Sequence, residues 1–253
     1  MTSDTDTASP LPKVLGEAER LVDFVSTRGV TARLLGGAAI QLLAHGSQNS
    51  PFYRVPRDLD LIAERGTRHR LTNVMQGAGY RSDDMFNALN GHRRLIFYDD
   101  VNTRQVDIFV GEFSMCHVIP VRERLRLYPL TLSPADLLLT KIQIFELNPK
   151  DQLDILMLLS TFEVTTDESG INVAYIAKLL SRDWGLWRTA TLNLERTRAW
   201  IQSLAAGTRA DDSLRVRMTE ILDAISREPR TLSWKVRASI GDRVKWYREP
   251  EEV

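Results

Sequence analysis

The chain has 253 residues, 33 basic and 33 acidic side chains and no net charge. That length suits one large or two small domains, and the balance leaves no footprint for a strongly basic nucleic-acid binder. Hydrophobic residues at 43% and charged residues at 26% form a globular composition that excludes wholesale disorder.

Cys116 is the single cysteine, so neither an internal disulfide nor a Cys-rich zinc site is expected. No apolar run approaches the roughly 18 residues that a membrane span needs. The polar start, Met1-Thr2-Ser3-Asp4, lacks the apolar stretch of a secretory signal. The expected compartment is the cytoplasm, with no membrane partner.

Residues 1–9 are read as a disordered tail. Leu11, Val14, Leu15, Ala18, Leu21, Val22 and Val25 repeat at helical spacing and predict a helix to about Arg28, with Gly29 as its stop. A strand is expected over Thr31–Leu35, broken by Gly36-Gly37, then a helix over Ala38–Ala44. Gly46–Arg57, with Pro51 and Pro56, reads as a loop. A strand over Leu59–Ile62, a helix over Thr67–Gly77 and a hairpin of Arg93–Tyr98 with Arg104–Val110 follow. Leu125–Leu132 is taken as a further strand or extended segment. Ser133-Pro134 caps a helix running to about Leu147, and Asn148-Pro149 opens another over Lys150–Leu159.

After Ser169-Gly170 only amphipathic helical patterns remain, near 171–181, 186–205, 212–227 and 231–246. The order implies an α+β fold, a mixed sheet with flanking helices followed by a helical C-terminal domain. The border is drawn as a catalytic domain over 10–164 and a helical domain over 165–253.

Chemistry concentrates in Arg57-Asp58-Leu59-Asp60-Leu61. Residues two apart in a strand share a face, roughly 6–7 Å apart. Asp58 and Asp60 therefore face one way together and repel unless a cation lies between them. Mg²⁺ suits such a place, since it takes oxygen ligands and is held by one or two carboxylates plus substrate phosphates. Asp107 interrupts the apolar run Val106–Val110, and a neighbouring strand would bring it beside the pair. Three converging carboxylates can hold two ions roughly 3.5–4 Å apart, one activating an acceptor hydroxyl and one stabilising a leaving pyrophosphate. A strand, the Gly36-Gly37 turn and a helix start would present backbone N–H groups to a triphosphate. Each element also has a plain reading: a solvated face for the Asp pair, a hydrogen-bonded edge residue for Asp107, an ordinary turn for the glycines.

Leu34-Leu35-Gly36-Gly37-Ala38-Ala39-Ile40, Asp58-Leu59-Asp60-Leu61 and Val106-Asp107-Ile108-Phe109 together resemble the nucleotidyltransferase superfamily that includes DNA polymerase beta. Leu132–Ile144, with Lys141, and the following Lys150-Asp151-Gln152-Leu153-Asp154 look like its AbiEii-type branch. The resemblance covers about residues 30–160. It implies transfer of a nucleoside monophosphate from an NTP to an acceptor, with pyrophosphate released. Asp58, Asp60 and Asp107 would hold two Mg²⁺ ions, with Asp107 on the ion that activates the hydroxyl. Gly36 and Gly37 would let the phosphates approach, Lys141 would reach the triphosphate, and Asp151 or Asp154 would orient it.

The acceptor would be tRNA, if the chain is a toxin with an antitoxin partner, or a small hydroxyl compound such as an antibiotic. A non-catalytic member that binds a nucleotide or a protein is the alternative. Two features depart from the pattern: Ala38 stands where a Ser or Thr is usual, and the stretch from Gly37 to Asp58 is long. Arg54 and Arg57 flank the acidic pair and suit phosphate or a structural ion pair. His45, His69, His92 and His117 show no metal spacing. The tryptophans fit core packing, and the C-terminal arginines a solvated face.

Overall fold

The computed structural model describes residues 9–45, 47–204 and 209–249. Apart from Ser9, the tail expected over 1–9 lies outside the described residues. The chain is an α+β protein that divides into two compact units. The first comprises the residues up to Ser47, Arg54–Phe113 and Pro120–Leu132. The second comprises Gln48–Tyr53, Ser114–Ile119 and the chain from Ser133 on. The border drawn near residue 165 therefore falls inside the second unit. The physical reason lies in α5 (Pro134–Ile142) and α6 (Pro149–Thr161), which pack with the later helices α7 (Val173–Leu180), α8 (Trp184–Leu204) and α9 (Arg209–Arg227). No helix among the described residues is long and apolar enough to cross a membrane.

The first unit is built on a five-stranded mixed sheet in the order β1-β2-β5-β4-β3. Its strands are β1 (Ala32–Leu35), β2 (Leu59–Ala63), β3 (Arg81–Ser82), β4 (Arg94–Asp99) and β5 (Arg104–Val110). β2 and β5 run parallel, while β1 against β2, β4 against β5 and β3 against β4 are antiparallel. Opposed residues share a face. One face carries Leu34, Leu59, Leu61, Val106, Ile108, Leu95 and Phe97, all fully buried. The other carries Leu35, Asp60, Asp107, Arg94 and Phe109.

Helix α1 (Val14–Thr27) buries Ala18, Leu21, Val22 and Val25. Its buried Glu17 is satisfied by Arg20, at 2.7 Å to each carboxylate oxygen, by the Tyr80 hydroxyl and by the Leu11 amide. Helices α2 (Gly36–Leu43) and α3 (Arg68–Gly77) follow β1 and β2.

β3 and helix α4 (Asp84–Asn90) were not foreseen from the sequence. Asp83 caps α4 by accepting from the Phe86 amide at 3.0 Å. Where short β3 ends, the Asn87 side chain continues the ladder: it accepts from Ile96 N–H at 2.7 Å and donates to Ile96 C=O at 2.9 Å. Leu125–Leu132 forms no strand. It makes one isolated bridge, Thr131 with Leu34, because Pro129 has no N–H to give a ladder.

Short strands β6 (Phe113–Ser114) and β7 (Val118–Ile119) pair as a ribbon. In the second unit the caps are side chains. Ser133 accepts from the Asp136 amide at 3.2 Å and Asn148 from the Asp151 amide at 3.0 Å. α5 ends at Ile142, short of the expected Leu147, because the Asn193 amide takes the carbonyls of Ile142 and Ile144, at 3.0 and 2.5 Å. β8 (Val164–Thr165) and β9 (Ile171–Asn172) precede α7. α10 (Leu232–Ile240) ends where Gly241 takes φ +62°, six residues before the expected end.

His117 is buried. Gln143 Oε1 accepts its backbone N–H at 2.8 Å, and its Nε2 lies 2.9 Å from Thr189 Oγ1. Thr189 Oγ1 also accepts from Trp246 Nε1 at 3.1 Å. Burial pushes the His117 pKa down to about 4, with Asp183 opposing and Arg248 assisting. The group thus binds fewer protons folded than unfolded. Its contribution is complete above the ordinary pKa of 6.5 and is lost as pH falls towards 4. We expect stability to fall by on the order of 3 kcal/mol over that window. His117→Leu should flatten that slope in urea titrations at pH 7 and pH 4.5. An unchanged slope would remove His117 as its source.

Candidate functional site

β1 leads straight into α2, and Gly36 at the junction takes φ +68°, a conformation that side chains other than glycine's adopt at a cost. The turn is also crowded. A Cβ on Gly36 would stand 3.0 Å from Asp60 Cγ and overlap Oδ2. One on Gly37 would stand 2.8 Å from Arg54 Cζ. The two glycines thus let a carboxylate and a guanidinium lie against the backbone where the helix begins. α2 includes both glycines, whereas the sequence placed its start at Ala38.

The acidic residues divide by environment. Asp60 and Asp107 are direct register partners on parallel β2 and β5, so both lie on one face of the sheet. Asp58 stands immediately before β2 and is exposed. Asp107 is buried and fully engaged. Arg94 Nε and Nη2 donate to its Oδ1 at 2.8 and 2.7 Å, and Gln105 Nε2 donates to its Oδ2 at 2.9 Å. The Arg94 guanidinium lies over the Phe109 and Phe86 rings, 5.4 and 5.9 Å from their centroids.

These positions bear on the two Mg²⁺ ions expected from the resemblance. Among the described residues no group of three or more His, Cys, Asp or Glu side chains is placed to hold a metal ion. Asp58 and Asp60 have the chemistry for one hard cation that shares its shell with phosphates. Asp107 does not fit a second, because a guanidinium already occupies its carboxylate.

The remaining predicted residues, Lys141, Asp151 and Asp154, belong to the second unit. The spacing of three puts both carboxylates on one side of α6. Lys141 Nζ meets Asp151 Oδ1 and Asp154 Oδ2, each at 2.9 Å. Asp154 is fully buried and Asp151 and Lys141 nearly so. Burial works to strip the ammonium of its proton, but the charges of Asp154 and Asp151 outweigh it and raise the pKa above the usual 10.5. Lys141 is a charged, immobilised ammonium.

The C-terminal basic residues are largely spent within their own unit. Arg188 pairs with Asp242, Arg227 with Asp223, Arg217 with Glu163 and Arg198 with Glu195. Arg237 and Arg230 lie over Trp184 and Trp234, at 4.5 and 4.9 Å. Trp184 is buried, and Trp187, Trp234 and Trp246 join it in edge-to-face and tilted contacts. Sequence reasoning missed Arg94 and Gln105. Arg94 does lie two residues from Ile96, the register partner of Asp107, but only a known hairpin register would have shown it.

No protein-family model and no curated protein matches the chain. Among solved structures, the chain is similar to an antigenic nucleotidyltransferase-like protein from Paracoccidioides brasiliensis. The identity is 13% and the TM-score 0.44, over 88% of this chain and 96% of that one. It is also similar to a STING-associated CdnE c-di-GMP synthase from Capnocytophaga granulosa, at 10% identity and TM-score 0.25, over 88% and 84%. Similarities this distant carry no weight in the functional reading.

Proposed function

We propose that the chain is a nucleotidyltransferase of the AbiEii-type branch that moves a nucleoside monophosphate from an NTP to an acceptor hydroxyl. The acceptor oxygen bonds to the α-phosphorus, the bond from that phosphorus to the bridging oxygen of the β-phosphate breaks, and pyrophosphate leaves. The hydroxyl proton passes to water as the new bond forms. The observation that carries the reading is the register of Asp60 with Asp107, on one sheet face, with the Asp60 carboxylate against Gly36 at the start of α2. Gly36 and Gly37 open the turn to phosphates, and Arg54 beside Gly37 supplies a cation to them. Asp58 and Asp60 would hold a Mg²⁺ ion, which when bound offsets triphosphate charge. Lys141, fixed by Asp151 and Asp154, is assigned to the nucleotide on the resemblance alone. A cytoplasmic toxin that modifies tRNA and is restrained by an antitoxin is the form of this activity we favour, with small hydroxyl compounds such as antibiotics as the other acceptor class.

One observation favours a second reading, nucleotide binding without transfer: both Asp107 oxygens are engaged, by Arg94 and Gln105. The test is incubation of the purified chain with Mg²⁺ and labelled NTPs against total tRNA, protein and aminoglycosides. Labelling of one acceptor is expected, with a loss of roughly 10³-fold or more in Asp60→Asn and an unchanged circular dichroism spectrum. NTP binding by calorimetry with no acceptor labelled would decide for the second reading. Growth arrest on expression of the wild type but not of Asp60→Asn checks the toxin form.

A further inference from the structure

We propose that Arg94 takes the place of the second divalent cation at Asp107, so that the site works with one ion rather than two. The inference rests on the nucleotidyl-transfer reading and departs from the two-ion arrangement the family resemblance implies. Its basis is how Asp107 is held.

Arg94 lies on β4 and Asp107 on β5, and β4 pairs Arg94 with Phe109 and Ile96 with Asp107. Arg94 is therefore the diagonal neighbour of Asp107 on one face, within reach of a long side chain. It uses that reach in a fork, Nε and Nη2 both on Oδ1 at 2.8 and 2.7 Å. Gln105 closes the other oxygen at 2.9 Å. The arginine is itself fixed. Phe109 lies under the guanidinium and Phe86 beside it, contacts that favour a cation over the ring face, and its side chain is only 18% exposed.

A guanidinium keeps its proton throughout the accessible pH range. The positive charge at Asp107 is thus permanent, whereas an ion would come and go with its concentration. To bind there, Mg²⁺ would have to shed water, which it does reluctantly, and expel a cation that lies against the Phe109 and Phe86 rings. Asp58 has no such occupant: it is exposed and makes no hydrogen bond or ion pair among the described residues. Asp58 is thus the carboxylate of this face that is open to an ion.

The experiment counts ions rather than turnover. Mn²⁺ is titrated into the full chain, alone and with α,β-methylene analogues of the four NTPs, and free Mn²⁺ is read by electron paramagnetic resonance. The wild type should bind one equivalent, and Arg94→Met should gain a second that Asp107→Asn in the same background removes. Arg94→Lys, which keeps a cation on the site, should stay at one, and this holds the test open should the methionine variant misfold. Two equivalents in the wild type, or equal counts in wild type and Arg94→Met, would overturn the proposal. A wild type that gives the expected counts but binds no analogue would instead sink the transferase reading and leave the Arg94 assignment standing.

Discussion

Lys141→Met is expected to cost this protein on the order of 3–5 kcal/mol at neutral pH, the range for removing one member of a buried charge group. The ammonium sits 2.9 Å from both Asp151 and Asp154, and the methionine would leave two carboxylates facing each other away from water. Such a pair favours taking up a proton. The variant should therefore regain stability as pH falls from 7 to 5, since its folded state then binds more protons than its unfolded state. The wild type should show no such gain from this group. Its Lys141 holds its proton more tightly folded than unfolded, so the contribution is complete below the usual pKa of 10.5 and fades only as pH rises through the raised folded value. Urea unfolding at pH 5 and 7 checks both signs, and Lys141→Met combined with Asp151→Asn should recover part of the loss. A single variant that loses less than about 1 kcal/mol would mean that the ammonium does not hold the two carboxylates of α6 in place.

The same group shows what the sequence could and could not disclose. The three-residue spacing of Asp151 and Asp154 was enough to place them on one helix face, and the cap signals Ser133-Pro134 and Asn148-Pro149 located α5 and α6 within a few residues. Periodicity likewise located α1, β2, β4 and β5. The local signals failed where a distant group decides. α5 stops early because Asn193, some 50 positions away, collects its last carbonyls. The segment 125–132 reads as extended, yet it makes one bridge around Pro129. α4 hid because its anchor, Asn87 on Ile96, depends on where β3 runs out. At the site, Asp60 and Asp107 were legible as acidic interruptions of apolar runs. The Arg94 fork on Asp107 was not, because register is a property of two strands and neither strand states it alone.

Two neighbouring glycine variants should separate folding from binding. Gly36→Ala places a side chain at φ +68° and drives its Cβ into the Asp60 carboxylate, with Asp60 Cβ only 3.2 Å away. The left-handed conformation alone costs about 1–2 kcal/mol, and Asp60 must leave the turn. We expect lower stability by at least that amount together with loss of nucleotide transfer. Gly37→Ala meets only the far end of Arg54, Cζ at 2.8 Å, and its backbone is not left-handed. A long arginine can swing aside, so stability should change by less than about 0.5 kcal/mol, the usual range away from such features. The guanidinium would then no longer lie against the turn, and nucleotide affinity should fall about tenfold, the factor set by 1.4 kcal/mol, within the strength of one charge-assisted hydrogen bond. Thermal melts and calorimetry with NTP on both variants read the two effects independently. If Gly37→Ala binds as the wild type does, Arg54 is a structural neighbour of the turn and not a phosphate contact. If Gly36→Ala is as stable and active as the wild type, the nearness of Asp60 to the helix start has no part in the chemistry.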